Sequence, residues 1–139
     1  MNPRILYICA ATICALLAIP AASFAHHSFQ AEYDVNKPIT LTGSVTKFEW
    51  TNPHARFYID VKDAEGKVVN WNFELASPNV LRRLGWTREM MKPGDTVTVK
   101  GHQSKDGAAW GNANSVALAD GRVMTVGSSA EESAATGGK

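Results

Sequence analysis

The order of its patterned segments most limits what this chain can fold into: three alternating apolar runs, one short capped helix, then two more alternating runs. In "KPITLTGSVTKFEW", residues 37 to 50, Ile39, Leu41, Gly43 and Val45 share one face, and Phe48 and Trp50 then take over in the other register. Such a slip predicts a bulge near Thr46 and Lys47, because one extra residue returns the apolar set to the same face. "RFYIDV" alternates Phe57, Ile59 and Val61, and "VVNWNFEL" alternates Val69, Trp71, Phe73 and Leu75. Between them Asp63-Ala64-Glu65-Gly66 is hairpin-turn chemistry, with Gly66 able to take positive φ.

Ser77 then reads as an N-cap, Pro78 as a first helical residue and Gly85 as a stop, with Val80, Leu81 and Leu84 forming the apolar stripe. A second cap at Thr87 predicts a short turn through Met91, ended by Pro93-Gly94; Met90 and Met91 beside it read as structural. Val97 and Val99 mark a fourth strand, Val116 and Leu118 a fifth. Three strands, a helix and two strands, with a bend in the first, is the plan of a five-stranded, OB-fold-like Greek-key barrel with one short helix between strands three and four. A β-sandwich is the rival, but it does not place a helix at that point.

The ends carry different signals. Arg4 precedes an uncharged apolar run from Ile5 to Ile19, followed by Pro20 and the small residues Ala21 to Ala25, the pattern of a secretory signal peptide. Ser23-Phe24-Ala25 places the scissile bond before His26. Residues 1–25 are thus expected to be a signal peptide, 26–38 an N-terminal arm, 39–126 the barrel and 127–139 a disordered tail, since "GSSAEESAATGGK" lacks bulky apolar residues. Both cysteines, Cys9 and Cys14, fall in the signal, so the exported chain is expected to have no disulfide, thiolate metal site or cysteine nucleophile.

Without Arg4 the chain has thirteen Lys plus Arg against thirteen Asp plus Glu. A phosphate-backbone binder is normally basic, so nucleic acid is not the expected partner. Stable membrane insertion after cleavage is not expected either.

The residues "HHSF", "AEYD", "KPITLTGSVTKFEWTNPHA", "LGWTREMMKPGDTVTVKGH" and "DGR" resemble a family of small exported bacterial proteins of unknown function. The resemblance covers nearly all of residues 26–139; it implies export and fold and assigns no activity. More loosely, "TLTGSVTKF", "DAEGKVVNWNFEL" and "GDTVTVKG" are similar to bacterial periplasmic OB-fold proteins linked to stress responses, which lack the double histidine and the Asn-Pro-His.

All four histidines lie in the expected mature chain: His26 and His27 at its start, His54 in "TNPHA" and His102 in "KGHQ". His54 and His102 fall at the two loops that border the usual binding face of this barrel. An N-terminal His26 offers its α-amine and imidazole in one chelate ring, and a third nitrogen from His54 or His102 makes the nitrogen-rich tetragonal set that Cu(II) favours. Cleavage after Phe24 instead puts His27 third, another Cu(II) chelate. Read without a metal, the double histidine is an accident of the cleavage region. His54 then caps its Asn-Pro turn or bonds a carbonyl, and His102 faces solvent.

Trp50 and Trp71 share the parity of core residues. Trp110, in "DGAAWGNAN", reads as an exposed loop aromatic suited to ligand contact. Glu32, Asp34, Glu49, Asp60 and Glu74 show no spacing of a paired acid and base. No nucleophile elbow, zinc-protease helix or phosphate loop is present, so no catalytic residue or cofactor-binding loop is assigned. The leading expectation is an exported, soluble, non-catalytic binding module of the periplasm or medium, for a small ligand, metal ion or envelope protein. A copper-binding protein is the alternative, and a hydrolase using Ser28 or Ser44 a distant third.

Overall fold

The structure, a computed structural model, describes residues 29–127. The segment expected to be a signal peptide, its expected cleavage site, His26, His27 and the residues beyond Gly127 lie outside the described residues. In chain order the elements are α1 (Phe29–Glu32), β1 (Tyr33–Glu49), β2 (Arg56–Lys62), β3 (Val68–Glu74), α2 (Pro78–Arg83), β4 (Thr96–Ser104), β5 (Trp110–Ala117) and β6 (Val123–Thr125).

β1 pairs antiparallel with β2 and with β4, β2 with β3, and β4 with β5; a parallel β3–β5 pairing then closes the ring. This is the OB topology, a closed five-stranded barrel with α2 between β3 and β4. β6 extends β5 outside the ring.

The closure depends on the bend of β1. Its first part pairs with β4 up to Ser44↔Thr96, its last part pairs with β2 from Ser44↔Asp60, and the register slips between Val45 and Lys47. Thr46 is therefore the bulged residue, where the apolar alternation changes phase. Inside the ring Val45, Phe57, Ile59, Phe73, Val97, Val99, Ala113 and Val116 are buried. Phe57 and Phe73 stack with centroids 5.4 Å apart, and Trp71 stacks on Phe73 at 6.0 Å. Each fully buried large apolar side chain contributes roughly 1.5–3 kcal/mol of transfer free energy.

Local signals are met as their chemistry requires. The Asp63 carboxylate accepts from the Glu65 and Lys67 N–H groups, and Gly66 has φ 83°. Ser77 caps α2 by accepting from the Val80 N–H, and Gly85 leaves it at φ 87°. The Thr87 turn closes through Met90 N–H to Thr87 O, and Met91 is buried. Trp86 is sealed under the barrel, its indole N–H donating to Thr125 O at 2.8 Å.

Two expectations change. The arm expected to run to residue 38 is already strand from Tyr33, paired at Tyr33↔Ser104 and Pro38↔His102. Between Tyr33 and Pro38 the register against β4 slips, and Val35, the one apolar residue there, is exposed, so no alternation marks this part. β6 has no sequence signal either, being a three-residue edge strand.

Candidate functional site

Arg56, Asn72 and Glu74 have the parity opposite to the core residues Phe57 and Phe73, so alternation alone puts them in solvent. The topology does not. Glu74 is flanked by Arg56 on β2 and by Asn112 on β5, and the closed ring leaves it only 5% exposed. Its carboxylate accepts from the Arg56 guanidinium through Oε2, and His54 Nδ1 lies 3.0 Å from Oε1. Burial pushes the Glu74 carboxyl up, but the His54 hydrogen bond and the His54 and Arg56 charges outweigh it and hold it below the usual carboxylate range.

Tyr33 covers this group. Its side chain is 1% exposed, tilted against Phe29 at 5.1 Å and edge-on to Trp110 at 5.2 Å. The hydroxyl is buried near Glu74 without a hydrogen bond of ordinary geometry; burial first, then the Glu74 charge, push the phenol far above the ordinary tyrosine range. Asn112 is fully buried with neither side-chain polar atom bonded, and Asn72 Oδ1 is in the same position. Buried polar atoms are ordinarily paired, and each one left unbonded costs about 1–3 kcal/mol. Here these atoms of Tyr33, Asn72 and Asn112 sit on or beside the β3–β5 seam that carries Glu74.

A model for a family of unknown function (DUF6152) matches residues 14–114. The chain belongs to that family. No curated protein matches significantly. Among solved structures, the S. cerevisiae mitochondrial single-stranded DNA-binding protein Rim1 superposes with TM-score 0.46 at 13% identity, covering 59% of this chain and 92% of that one. A complex of TiaS with tRNA and ATP gives TM-score 0.42 at 22% identity, covering 58% of this chain and 18% of that one.

In this DUF6152 chain the two described histidines, His54 and His102, turn to different partners. His54, following the cis Asn52–Pro53 bond, turns to Glu74. His102 is half-buried in β4 rather than at the loop. It pairs with Asn112, carries the Phe29 ring edge-on at 5.7 Å and has Nδ1 3.5 Å from Asn114 Nδ2. His102 and Glu74 lie on strands either side of β5, about 10 Å apart by strand spacing. Among the described residues no group of three or more His, Cys, Asp or Glu is arranged to hold a metal ion.

Trp110 is not an exposed loop residue. It opens β5, half-buried, against Tyr33 and with its indole N–H toward Asp106 Oδ2 at 3.4 Å. Trp50 and Trp71 pack on the core as their parity predicts.

The open part of the β2–β3 face bonds many of its polar groups to one another. Tyr58 donates to Glu49 at 3.0 Å, Lys47 pairs with the same carboxylate, and Asn70 donates to both Asp60 and Thr46. Among the described residues no helix is long and apolar enough to cross a membrane.

Proposed function

We propose that the chain is an exported binding module of the bacterial envelope that acts without catalysis, its ligand engaging the outer β2–β3 face beside the β1–β2 and β4–β5 loops. One observation carries this reading: Asn72 and Asn112 hold unused hydrogen-bonding atoms on the β3–β5 seam beside Glu74, next to the face by which barrels of this type take their ligands. Glu74 itself is a poor general acid or base, being tied as a carboxylate to Arg56 and His54. Because Lys47 is held by Glu49 and Arg56 by Glu74, a neutral polar ligand suits this face better than a polyanion.

A site kept for a ligand trades stability for function. Asn112→Val replaces the two unbonded polar atoms of a fully buried side chain with methyl groups in a strand, so it should stabilise the free protein by about 1 kcal/mol. Urea titration at pH 7 reads this. A loss of similar size would mean that the Asn112 amide is bonded in the native protein, and the reading would fail.

The docking of Phe29 on His102 favours a second reading, Cu(II) binding. A chain beginning at His26 starts three residues before Phe29, about 10 Å of extended backbone, within reach of the His102 imidazole. Protein recovered from an envelope fraction should have the mass of residues 26–139. With a competing chelator, it should bind Cu(II) one-to-one, and an added N-terminal Gly should abolish this by removing the amine chelate. His102→Ala should weaken binding about ten- to a hundredfold if it closes the site. Equal, weak binding by both forms would remove copper from consideration.

A further inference from the structure

We propose that a cleft between the end of β1 and the segment following α2 binds small organic carboxylates that carry a flat apolar body. It is an open cleft of about 480 Å³ lined by Trp50, Arg82, Trp86, Thr87, Arg88 and Glu89. That volume is of small-molecule size. The cleft shares no residue with the Glu74 group and goes beyond the function proposed above.

Its chemistry is divided between floor and rim. Trp86 is 1% exposed and directs its N–H to Thr125 O, so it backs the cleft as buried carbon and offers it no free donor. Trp50 packs edge-on against Phe48 at 5.6 Å, which holds the indole that also lines the cleft. At the rim Arg82 and Arg88 are both exposed. Arg82 donates only to a neutral group, the Asn79 amide oxygen at 3.2 Å. Among the described residues neither guanidinium forms an ion pair. A guanidinium fork matches a carboxylate in two parallel hydrogen bonds, and an indole face offers stacking to a flat body. Glu89 leaves the lining one net positive charge, which suits a monoanion and opposes a multiply charged phosphate.

The chain carries carboxylates that offer the same chemistry. Thr125 O is bonded to Trp86, and Gly127 lies against Val80 and Leu84 of the α2 region, so the backbone leaves the barrel close to this cleft. Glu131 and Glu132 follow four and five residues later. The proposal assigns the site to a free carboxylate, and substituting these two residues separates the sources.

The test uses 2-naphthoate as probe and the assigned indole N–H resonances of the full chain. Titration should shift the Trp50 resonance saturably and leave Trp71 and Trp110 in place. The neutral 2-naphthamide should bind more weakly. Arg88→Gln and Arg82→Gln should each lower affinity about three- to tenfold, with melting temperatures unchanged because both side chains are exposed. The paired change Glu131→Gln with Glu132→Gln should leave affinity within about twofold. A tenfold gain in that variant would assign the cleft to the chain's own tail and overturn the free-ligand assignment. An unmoved Trp50 resonance, or equal binding by the Arg88→Gln protein, would overturn the carboxylate site altogether.

Discussion

Gly101→Ala and Gly43→Val should each destabilise the barrel by about 3 kcal/mol, lowering the melting temperature by roughly 15 °C for a domain of this size. The cause is backbone approach. A Cβ on Gly101 would collide with Asn112 O and stand 3.1 Å from Ala113 Cα, where β4 slips register against β5. A Cβ on Gly43 would stand 2.5 Å from Asp60 O, at the point where β1 leaves β4 and turns toward β2. In both cases the obstacle is a strand of the barrel, which cannot rotate away as a side chain does. Thermal melts of the two variants check this, and an unchanged midpoint at either position would contradict the strand register there.

Loss of the Glu74 carboxylate should be nearly as costly. Glu74→Ala leaves Arg56 and His54 facing an uncharged wall. Breaking a fully buried pair costs about 3–5 kcal/mol, but the partner side chains are 34% and 25% exposed, so solvent screening reduces the expected loss to about 2 kcal/mol.

The pH dependence has a definite sign. Folding lowers the Glu74 carboxyl below its unfolded value of about 4.3. The native state therefore binds fewer protons in that window, and the stabilisation is present above about pH 4.3 and fades as pH falls through the lowered folded value. The stability difference between the natural chain and Glu74→Gln should be full at pH 7 and shrink below about pH 4. Denaturant titrations at pH 7 and pH 3 read it. A difference independent of pH would mean that the carboxylate charge is not what His54 and Arg56 stabilise.

The same carboxylate shows where sequence reasoning stops. Period-2 alternation correctly assigned Phe57, Ile59 and Phe73 to the interior, because a strand's two faces are set by the pleat alone. It assigned Glu74 outward by the same rule, and Glu74 does leave the core, but it comes under the cover of neighbours that join it only through the parallel β3–β5 seam. No signal in "VVNWNFEL" marks that seam. Glu74 was visible as one carboxylate among several, and its partners His54 and Arg56 lie about twenty residues away in the chain.

The histidines divide in the same way. That His54 and His102 stand near the rim of a barrel follows from element order. That they turn to different partners, Glu74 and Phe29, does not, since each orientation depends on contacts between strands distant in sequence. Trp110 looked exposed because glycine and asparagine surround it, yet Tyr33, seventy-seven positions earlier, covers it.

By itself, then, the sequence determined the elements and their order: the bulge at Thr46, the Asp63–Gly66 hairpin turn, the Ser77-capped helix and the apolar faces that a barrel must enclose. Each follows from local backbone preference or from side-chain period, which a few neighbouring residues specify. Only the tertiary structure decided which outward-facing polar groups are buried, because ring closure and the docking of Tyr33 bring together Arg56, Glu74, Asn112 and Trp110. Burial of a polar atom is a property of what lies across from it, and no stretch of this chain carries that information alone.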